Sequence, residues 1–162
     1  MVSAVDSAQA RQFESWDTLG QQARGLLSGE NHRIANAANL AALIFNSVPG
    51  LNWAGFYFIE RGELVVGPFQ GGPACVRIAS GSGVCGTAML SGETQRVEDV
   101  DAFAGHIACD PNSRSEVVVP LVDNSQVIGV LDIDSPLPGR FSEADARGVE
   151  QLAAIYVESI SG

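Results

Sequence analysis

The chain has 162 residues, of which 46% are hydrophobic, a length and composition typical of one domain with a single core. Its formal net charge is -10, and its nine basic residues are all Arg. This charge argues against a nucleic-acid partner, because phosphate contacts need a basic face. No segment approaches the roughly 18 apolar residues of a membrane span, so we predict no membrane association and a cytoplasmic location. We predict one domain over residues 1–162, with residues 1–8 as a flexible tail.

Two helices are predicted in the first third of the chain. Apolar residues of the first recur at steps of three or four before Gly29: Phe13, Trp16, Leu19, Ala23 and Leu26. The second helix is predicted to begin with Asn31 as its N-cap and to end at Pro49-Gly50. Its apolar stripe consists of Ile34, Ala37, Ala41, Ile44 and Val48.

The middle of the chain changes to a pattern typical of strands. Residues 51–60 and 64–69 favour β-structure, and Arg61-Gly62-Glu63 between them predicts a hairpin turn. A Gly-rich stretch follows over residues 70–86. Residues 84–90 are predicted to form a short helix, followed by a strand at residues 94–97.

The last third predicts a hairpin and a closing helix. The β-branched segments 115–122 and 126–133 are joined by Asp123-Asn124-Ser125, so we expect adjacent antiparallel strands. Pro120 cannot donate to a ladder, which predicts one free side or a local irregularity. Ser142 and Asp145 form a capping-box variant before an amphipathic helix. The predicted fold is α+β, with two N-terminal helices and one C-terminal helix packed on a central antiparallel sheet.

Three cysteines, Cys75, Cys85 and Cys109, lie in or beside predicted loops. Their odd number and the lack of a secretory signal argue against a disulfide scaffold. Their spacing contains no CxxC pair, so we predict no metal site. A single cysteine is usually a small buried hydrophobic residue, but loop positions favour a functional thiol.

An acidic pair ends the last predicted strand. Because strand side chains alternate, Asp132 and Asp134 point to one face and Ile133 to the other. Glu116 opens the neighbouring strand and joins them only if the register of the hairpin allows it. The alternative is a solvated strand end, in which Asp134 caps the following turn.

Two aromatic residues share a face of the first strand. Trp53 and Tyr57 are four residues apart, with Gly55 between them on the same face. The pattern is compatible with an aromatic core stripe. It is also compatible with a slot between the rings for a methyl or thioether group.

His106 lies three residues before Cys109, which raises the alternative of a cysteine hydrolase. No oxyanion-hole signature accompanies the pair, and hydrolase partners are normally distant in sequence. Acidic neighbours would raise the pKa of a thiol, so a reactive Cys109 needs a compensating group. Arg114 and His106 are both candidates for that role.

Five motifs together carry a family resemblance: Asn52-Trp53-Ala54-Gly55-Phe56-Tyr57, Gly67-Pro68-Phe69-Gln70-Gly71, Gly83-Val84-Cys85-Gly86, Ser113-Arg114-Ser115-Glu116 and Gly129-Val130-Leu131-Asp132-Ile133-Asp134-Ser135. The chain resembles the free methionine-R-sulfoxide reductase family of GAF domains from residue 51 to the closing helix. The cysteines also fall at the family's spacing. The resemblance implies a sheet of about six antiparallel strands, free methionine-R-sulfoxide as substrate and an external dithiol of the thioredoxin type instead of a bound cofactor. A homodimer is left open.

The resemblance also implies roles for individual residues. Cys109 is expected to attack the substrate, Cys75 to resolve the intermediate, and Cys85 to be auxiliary or recycling. Proton donation and substrate binding are expected of Glu116, Asp132 and Asp134, and substrate binding of Trp53 and Tyr57. The competing function is a GAF module that senses a small molecule or redox state without turnover, because GAF folds serve many roles.

The chemistry is consistent with this set of residues. A sulfoxide oxygen leaves only after it gains a proton, so thiolate attack on sulfur needs an acid nearby. Burial and mutual repulsion raise the pKa of one of several crowded carboxyl groups, which then stays protonated near neutral pH. The sulfenic acid left on the nucleophile condenses with a second thiol to a disulfide.

Overall fold

Four helices and six strands make up the described part of the chain, residues 13–107 and 109–161 of the computed structural model. The predicted tail over residues 1–8 lies outside these ranges. In chain order the elements are α1 (Trp16–Leu27), α2 (Arg33–Ser47), β1 (Trp53–Glu60), β2 (Glu63–Gly71), β3 (Arg77–Ala79), α3 (Gly83–Ser91), β4 (Gln95–Val97), a 3₁₀ turn (Val100–Ala102), β5 (Ser115–Asp123), β6 (Gln126–Ser135) and α4 (Glu143–Ile160).

The strands form one antiparallel sheet in the order β3-β2-β1-β6-β5-β4. Both long hairpins close through two-residue turns with positive φ. The residues are Arg61 and Gly62 in the first turn, and Asn124 and Ser125 in the second. Such turns match the twist of paired strands, which is why the loops are shorter than the three residues predicted for each. The α+β fold and the six-stranded sheet agree with the prediction.

The two faces of the sheet have different partners. Helices α1, α2 and α4 cover one face, where Phe56, Leu131 and Ile133 are fully buried in the larger core. Helix α3 and the loops around it cover the other face, which carries Trp53, Tyr57 and a second, smaller core. Because side chains alternate along each strand, residues that flank an apolar core position point towards α3.

Several local predictions were wrong in detail. Leu26 is exposed and Leu27 is buried instead. The face of α1 that packs on the core therefore includes residue 27 and not residue 26. The N-cap of α2 is His32, whose Nδ1 accepts from the backbone N–H groups of Ile34 and Ala35. Strand β3 was not predicted, since its three residues carry little pattern of their own and form a strand only by pairing with β2.

Other local predictions are confirmed. The short helix and the strand after it are present as α3 and β4. Pro120 pairs with Val130 of β6 and lies beyond the three residues of β4, so the other side of β5 is free there. No helix in the described ranges is long and apolar enough to cross a membrane.

The first turn of α4 is held by Asp145. Its carboxylate accepts from the backbone N–H of Ser142 at 2.8 Å and from the indole N–H of Trp16 at 2.9 Å. Arg140 lies 3.4 Å from the same carboxylate. Partial burial raises the pKa of Asp145, but these hydrogen bonds and the Arg140 charge outweigh burial and leave the pKa below its usual value. The carboxylate therefore joins α1 to α4 as a charged group.

We expect Asp145→Asn to lower the free energy of unfolding by about 1 kcal/mol at neutral pH. A depressed folded-state pKa gives stability that is present above the unfolded pKa and lost as the pH falls through the folded pKa. The difference between the two proteins should therefore vanish in acid, as measured by urea unfolding across a pH series. Glu143→Gln in the same turn is the control and should change stability by about 0.5 kcal/mol or less. A pH-independent deficit in Asp145→Asn would contradict this account.

Candidate functional site

A cavity lies between the α3 face of the sheet and the loops that carry Cys75 and Cys109. Strands β5 and β6 provide its acidic floor, and β1 provides two aromatic side chains. His106 and Cys109 line it from the loop before β5. Side chains from distant parts of the sequence therefore meet at one end of the central strands.

The register of three strands brings the carboxylates together. Glu116 of β5 pairs directly with Asp134 of β6, and Val118 pairs with Asp132. Trp53 of β1 is opposite Asp134 on the other side of β6. Directly paired residues place their side chains on the same face about 5 Å apart, so the three carboxylates share one surface with the aromatic pair.

These carboxylates are removed from water. Glu116, Asp132 and Asp134 are 7%, 5% and 8% exposed. Burial, and after it the charges of Asp134 and Glu116, holds the pKa of Asp132 well above its usual range. Burial and the Glu116 charge do the same to the pKa of Asp134, and burial also raises the pKa of Glu116. Like charges this close cannot all ionise, so at least one carboxyl group keeps its proton.

Cys85 lies in the first turn of α3 and lines the cavity next to the acidic floor. Its thiol donates to Asp132 Oδ2 at 3.3 Å and is 3.8 Å from Glu116 Oε1. Burial and the charges of Asp132 and Glu116 raise its pKa well above the usual value. The Cys85 thiol is therefore neutral, and it is the hydrogen-bond donor to the carboxylates.

Cys75 and Cys109 form a disulfide with their Cα atoms 5.3 Å apart. The loops of both cysteines are fixed to β1 and its start. Tyr57 donates from its hydroxyl to the Cys75 carbonyl at 3.3 Å, and Asn52 donates from its side chain to Asp110 Oδ2 at 3.0 Å. Two cysteines that are 34 residues apart in sequence are therefore bonded to each other beside the cavity.

The aromatic pair is stacked without an open slot between the rings. The ring centroids of Trp53 and Tyr57 are 5.8 Å apart, and Phe69 stacks on Trp53 at 5.1 Å. Gly55 allows β2 to approach β1 closely, because a Cβ at this position would clash with the Phe69 side chain and the Pro68 carbonyl oxygen. The slot predicted at Gly55 is therefore wrong, although both rings line the cavity from one side. Burial, and then the charge of Asp132, raises the pKa of Tyr57, which stays a neutral donor.

The two basic side chains considered as partners of Cys109 differ in position. Arg114 pairs with Asp99 at 3.8 Å and with Asp101 at 3.7 Å, both in the 3₁₀ region. His106 lines the cavity and favours the charged form of Glu116. In this oxidised form the Cys109 sulfur is bonded to Cys75, which is a redox arrangement and does not support the hydrolase alternative.

The cavity of the disulfide form has a volume of about 40 Å³. About 10–15 Å³ of such volume is enough for one water molecule, so the cavity has room for more than one.

Sequence reasoning did not assign a role to Asn52, which helps to anchor these loops. Asn52 also donates to Ser113 Oγ at 3.0 Å, and the Trp53 indole donates to the Gly72 carbonyl at 3.1 Å. Asn52 is placed immediately before β1, where a polar side chain is free to bind loop atoms instead of packing. That position was the only signal available in the sequence.

Comparison with known proteins connects this site to a family. The GAF domain family model matches residues 36–160. The free methionine-R-sulfoxide reductase of Escherichia coli is 51% identical over 141 residues, which cover 87% of this chain and 86% of that protein. The chain belongs to the free methionine-R-sulfoxide reductase family of GAF domains. The resemblance carried by the five sequence motifs is therefore confirmed.

Solved structures of this reductase family share the fold closely. The reduced form of fRMsr from Staphylococcus aureus is 42% identical, with a TM-score of 0.89, and the match covers 99% of this chain and 100% of that one. The enzyme from Neisseria meningitidis in complex with its substrate is 41% identical, with a TM-score of 0.87 and coverage of 99% and 93%. The matched regions include the whole site described above.

Proposed function

We propose that the chain reduces free methionine-R-sulfoxide to methionine, with Cys109 as the nucleophile and Cys75 as the resolving thiol. The observation that carries this proposal is the Cys75–Cys109 disulfide at a cavity whose floor holds three buried carboxylates. The site therefore combines two cysteines that can exchange two electrons with carboxyl groups that can donate a proton. Sulfoxide reduction by thiols needs both.

In the first step the Cys109 thiolate attacks the substrate sulfur. A protonated carboxyl group among Glu116, Asp132 and Asp134 donates its proton to the sulfoxide oxygen. The hydroxyl group then passes to the Cys109 sulfur as the S–O bond and the new bond between the two sulfurs break, so methionine leaves and Cys109 becomes a sulfenic acid. His106 lines the same space as Cys109 and is the group proposed to favour its thiolate.

In the second step the Cys75 thiol attacks the sulfenic acid of Cys109. The S–S bond forms and water leaves, so two thiols and one sulfoxide give one disulfide, methionine and water. An external dithiol of the thioredoxin type then reduces the disulfide by exchange. Cys85 is proposed to keep its thiol throughout this reaction, because it is buried against the carboxylates and donates to Asp132.

Reduction of the disulfide also frees the two loops that cover the cavity. Once the bond between Cys75 and Cys109 is broken, their loops can separate and enlarge the space. Carboxylates that remain ionised are then available to bind the ammonium group of the free amino acid. Trp53 and Tyr57 would flank the methyl and thioether part of the substrate.

A single assay tests this function. Methionine sulfoxide with both configurations at sulfur is incubated with the chain and dithiothreitol, and the products are separated by chiral amino-acid analysis. We expect the R epimer to be converted to an equal amount of methionine, while the S epimer is unchanged. N-acetylmethionine-R-sulfoxide is the matched control, and it should react poorly because it lacks the ammonium group.

Two outcomes would overturn the proposal. Binding of the R epimer without turnover would favour the sensing module. Equal consumption of both epimers would contradict a site with its acid and its thiol in fixed positions.

A further inference from the structure

Cys85, Glu116 and Asp132 form a compact group of metal-binding atoms, and the reaction above uses its two carboxyl groups but not its thiol. We call it the thiol–carboxylate cluster. One donor atom from each residue lies within 4.8 Å of the others, and all three side chains are buried. Their positions come from α3, β5 and β6, so the group exists only in the folded chain.

Unpartnered oxygens point to a missing cation at this place. Asp132 Oδ1 and Asp134 Oδ1 are fully buried and have no hydrogen-bond partner among the described residues. Arg114 is paired with Asp99 and Asp101 outside the cavity, and His106, which lines the cavity, is not a hydrogen-bond partner of either oxygen. Buried anionic oxygens are normally matched by a hydrogen-bond donor, a positive charge or a metal.

The distances within the cluster fit one kind of ion. In tetrahedral zinc sites, metal–sulfur and metal–oxygen bonds of about 2.3 and 2.0 Å place the ligand atoms about 3.5 Å apart. The Cys85 sulfur is 3.3 Å from Asp132 Oδ2 and 3.8 Å from Glu116 Oε1. A thiolate with two carboxylates favours a thiophilic divalent cation over magnesium or calcium.

We propose that the thiol–carboxylate cluster binds one thiophilic divalent cation of the zinc class through Cys85, Glu116 and Asp132. The Cys85 proton passes to solvent as the metal–sulfur bond forms. Asp134, which is opposite Glu116 in the strand pair, is the neighbouring acceptor proposed for a water on the fourth position. The cavity volume of about 40 Å³ accommodates such an ion and its water in the disulfide form. This departs from the sequence-based prediction of no metal site.

The disulfide form allows a direct test, because Cys85 is then the only thiol among the three cysteines. The oxidised chain is treated with a chelator, desalted and titrated with Cd²⁺. We expect an ultraviolet thiolate-to-cadmium charge-transfer band that saturates at one equivalent. Zn²⁺ should remove the band by competition, and Mg²⁺ should leave it. No turnover is involved, so the result is independent of the proposed reductase activity.

Variants separate the cluster from nonspecific binding. Cys85→Ser should lose the band, and Asp132→Asn should weaken binding by more than about tenfold, a loss seen even for outer partners of metal ligands. Asp123→Asn, at the opposite end of the β5–β6 hairpin, is the matched control and should bind as the parent does. Circular dichroism checks that each variant folds. Absence of the band in the oxidised parent, which needs no variant, or its persistence in folded Cys85→Ser, overturns the proposal.

Discussion

Cys109→Ser should lose turnover of methionine-R-sulfoxide by at least about 1,000-fold, because a serine hydroxyl cannot replace a thiolate nucleophile. The measurement is the rate of methionine release with dithiothreitol in excess. The variant should still fold, since the loop is also held by the Asn52–Asp110 hydrogen bond. Mass spectrometry after one equivalent of sulfoxide should show no new disulfide in the variant and one in the parent.

Two other cysteine variants serve as comparisons. Cys75→Ser should release about one methionine per chain before slowing, because the sulfenic acid on Cys109 forms but has no internal thiol to resolve it. A dimedone adduct on Cys109 would report that intermediate. Cys85→Ser should keep both the disulfide and turnover with dithiothreitol. An inactive Cys85→Ser beside an active Cys109→Ser would reverse the proposed assignment.

Asp134→Asn should lower kcat/KM for methionine-R-sulfoxide by about 10²- to 10⁴-fold, the range for loss of a positioned proton donor or charged substrate partner. Asparagine is nearly isosteric with aspartate and removes one of three crowded, buried carboxyl groups. The melting temperature should therefore be unchanged or higher. Loss of activity without loss of stability is a result that a purely structural role would not give.

The matched control is Asp123→Asn. Asp123 lies at the far end of the same hairpin and is paired with Gln126. Its replacement should leave kcat/KM within about twofold, as expected for a surface substitution remote from the site. A kcat/KM for Asp134→Asn equal to that of the parent would show that Asp134 neither donates the proton nor binds the substrate.

Local patterns were sufficient to predict most of the fold. Helices α1, α2 and α4 follow from apolar repeats and caps, and the β5–β6 hairpin follows from two β-branched runs with a short polar turn. The predictions failed where contacts with another part of the chain, or competition between adjacent residues, determine the local structure. Strand β3 depends on β2 for its pairing, and the cap of α2 moved from Asn31 to His32 because several residues there can accept from the helix N-terminus.

For the site, the sequence by itself determined the candidate residues and that Asp132 and Asp134 share a face, because alternation along a strand needs no other part of the chain. Only the tertiary structure decided that Glu116 is opposite Asp134, that Cys75 reaches Cys109, and that Cys85 donates to Asp132. Register and loop position depend on contacts between residues far apart in sequence. The same contacts bury the carboxylates, and burial is what raises the pKa values of Asp132 and Asp134.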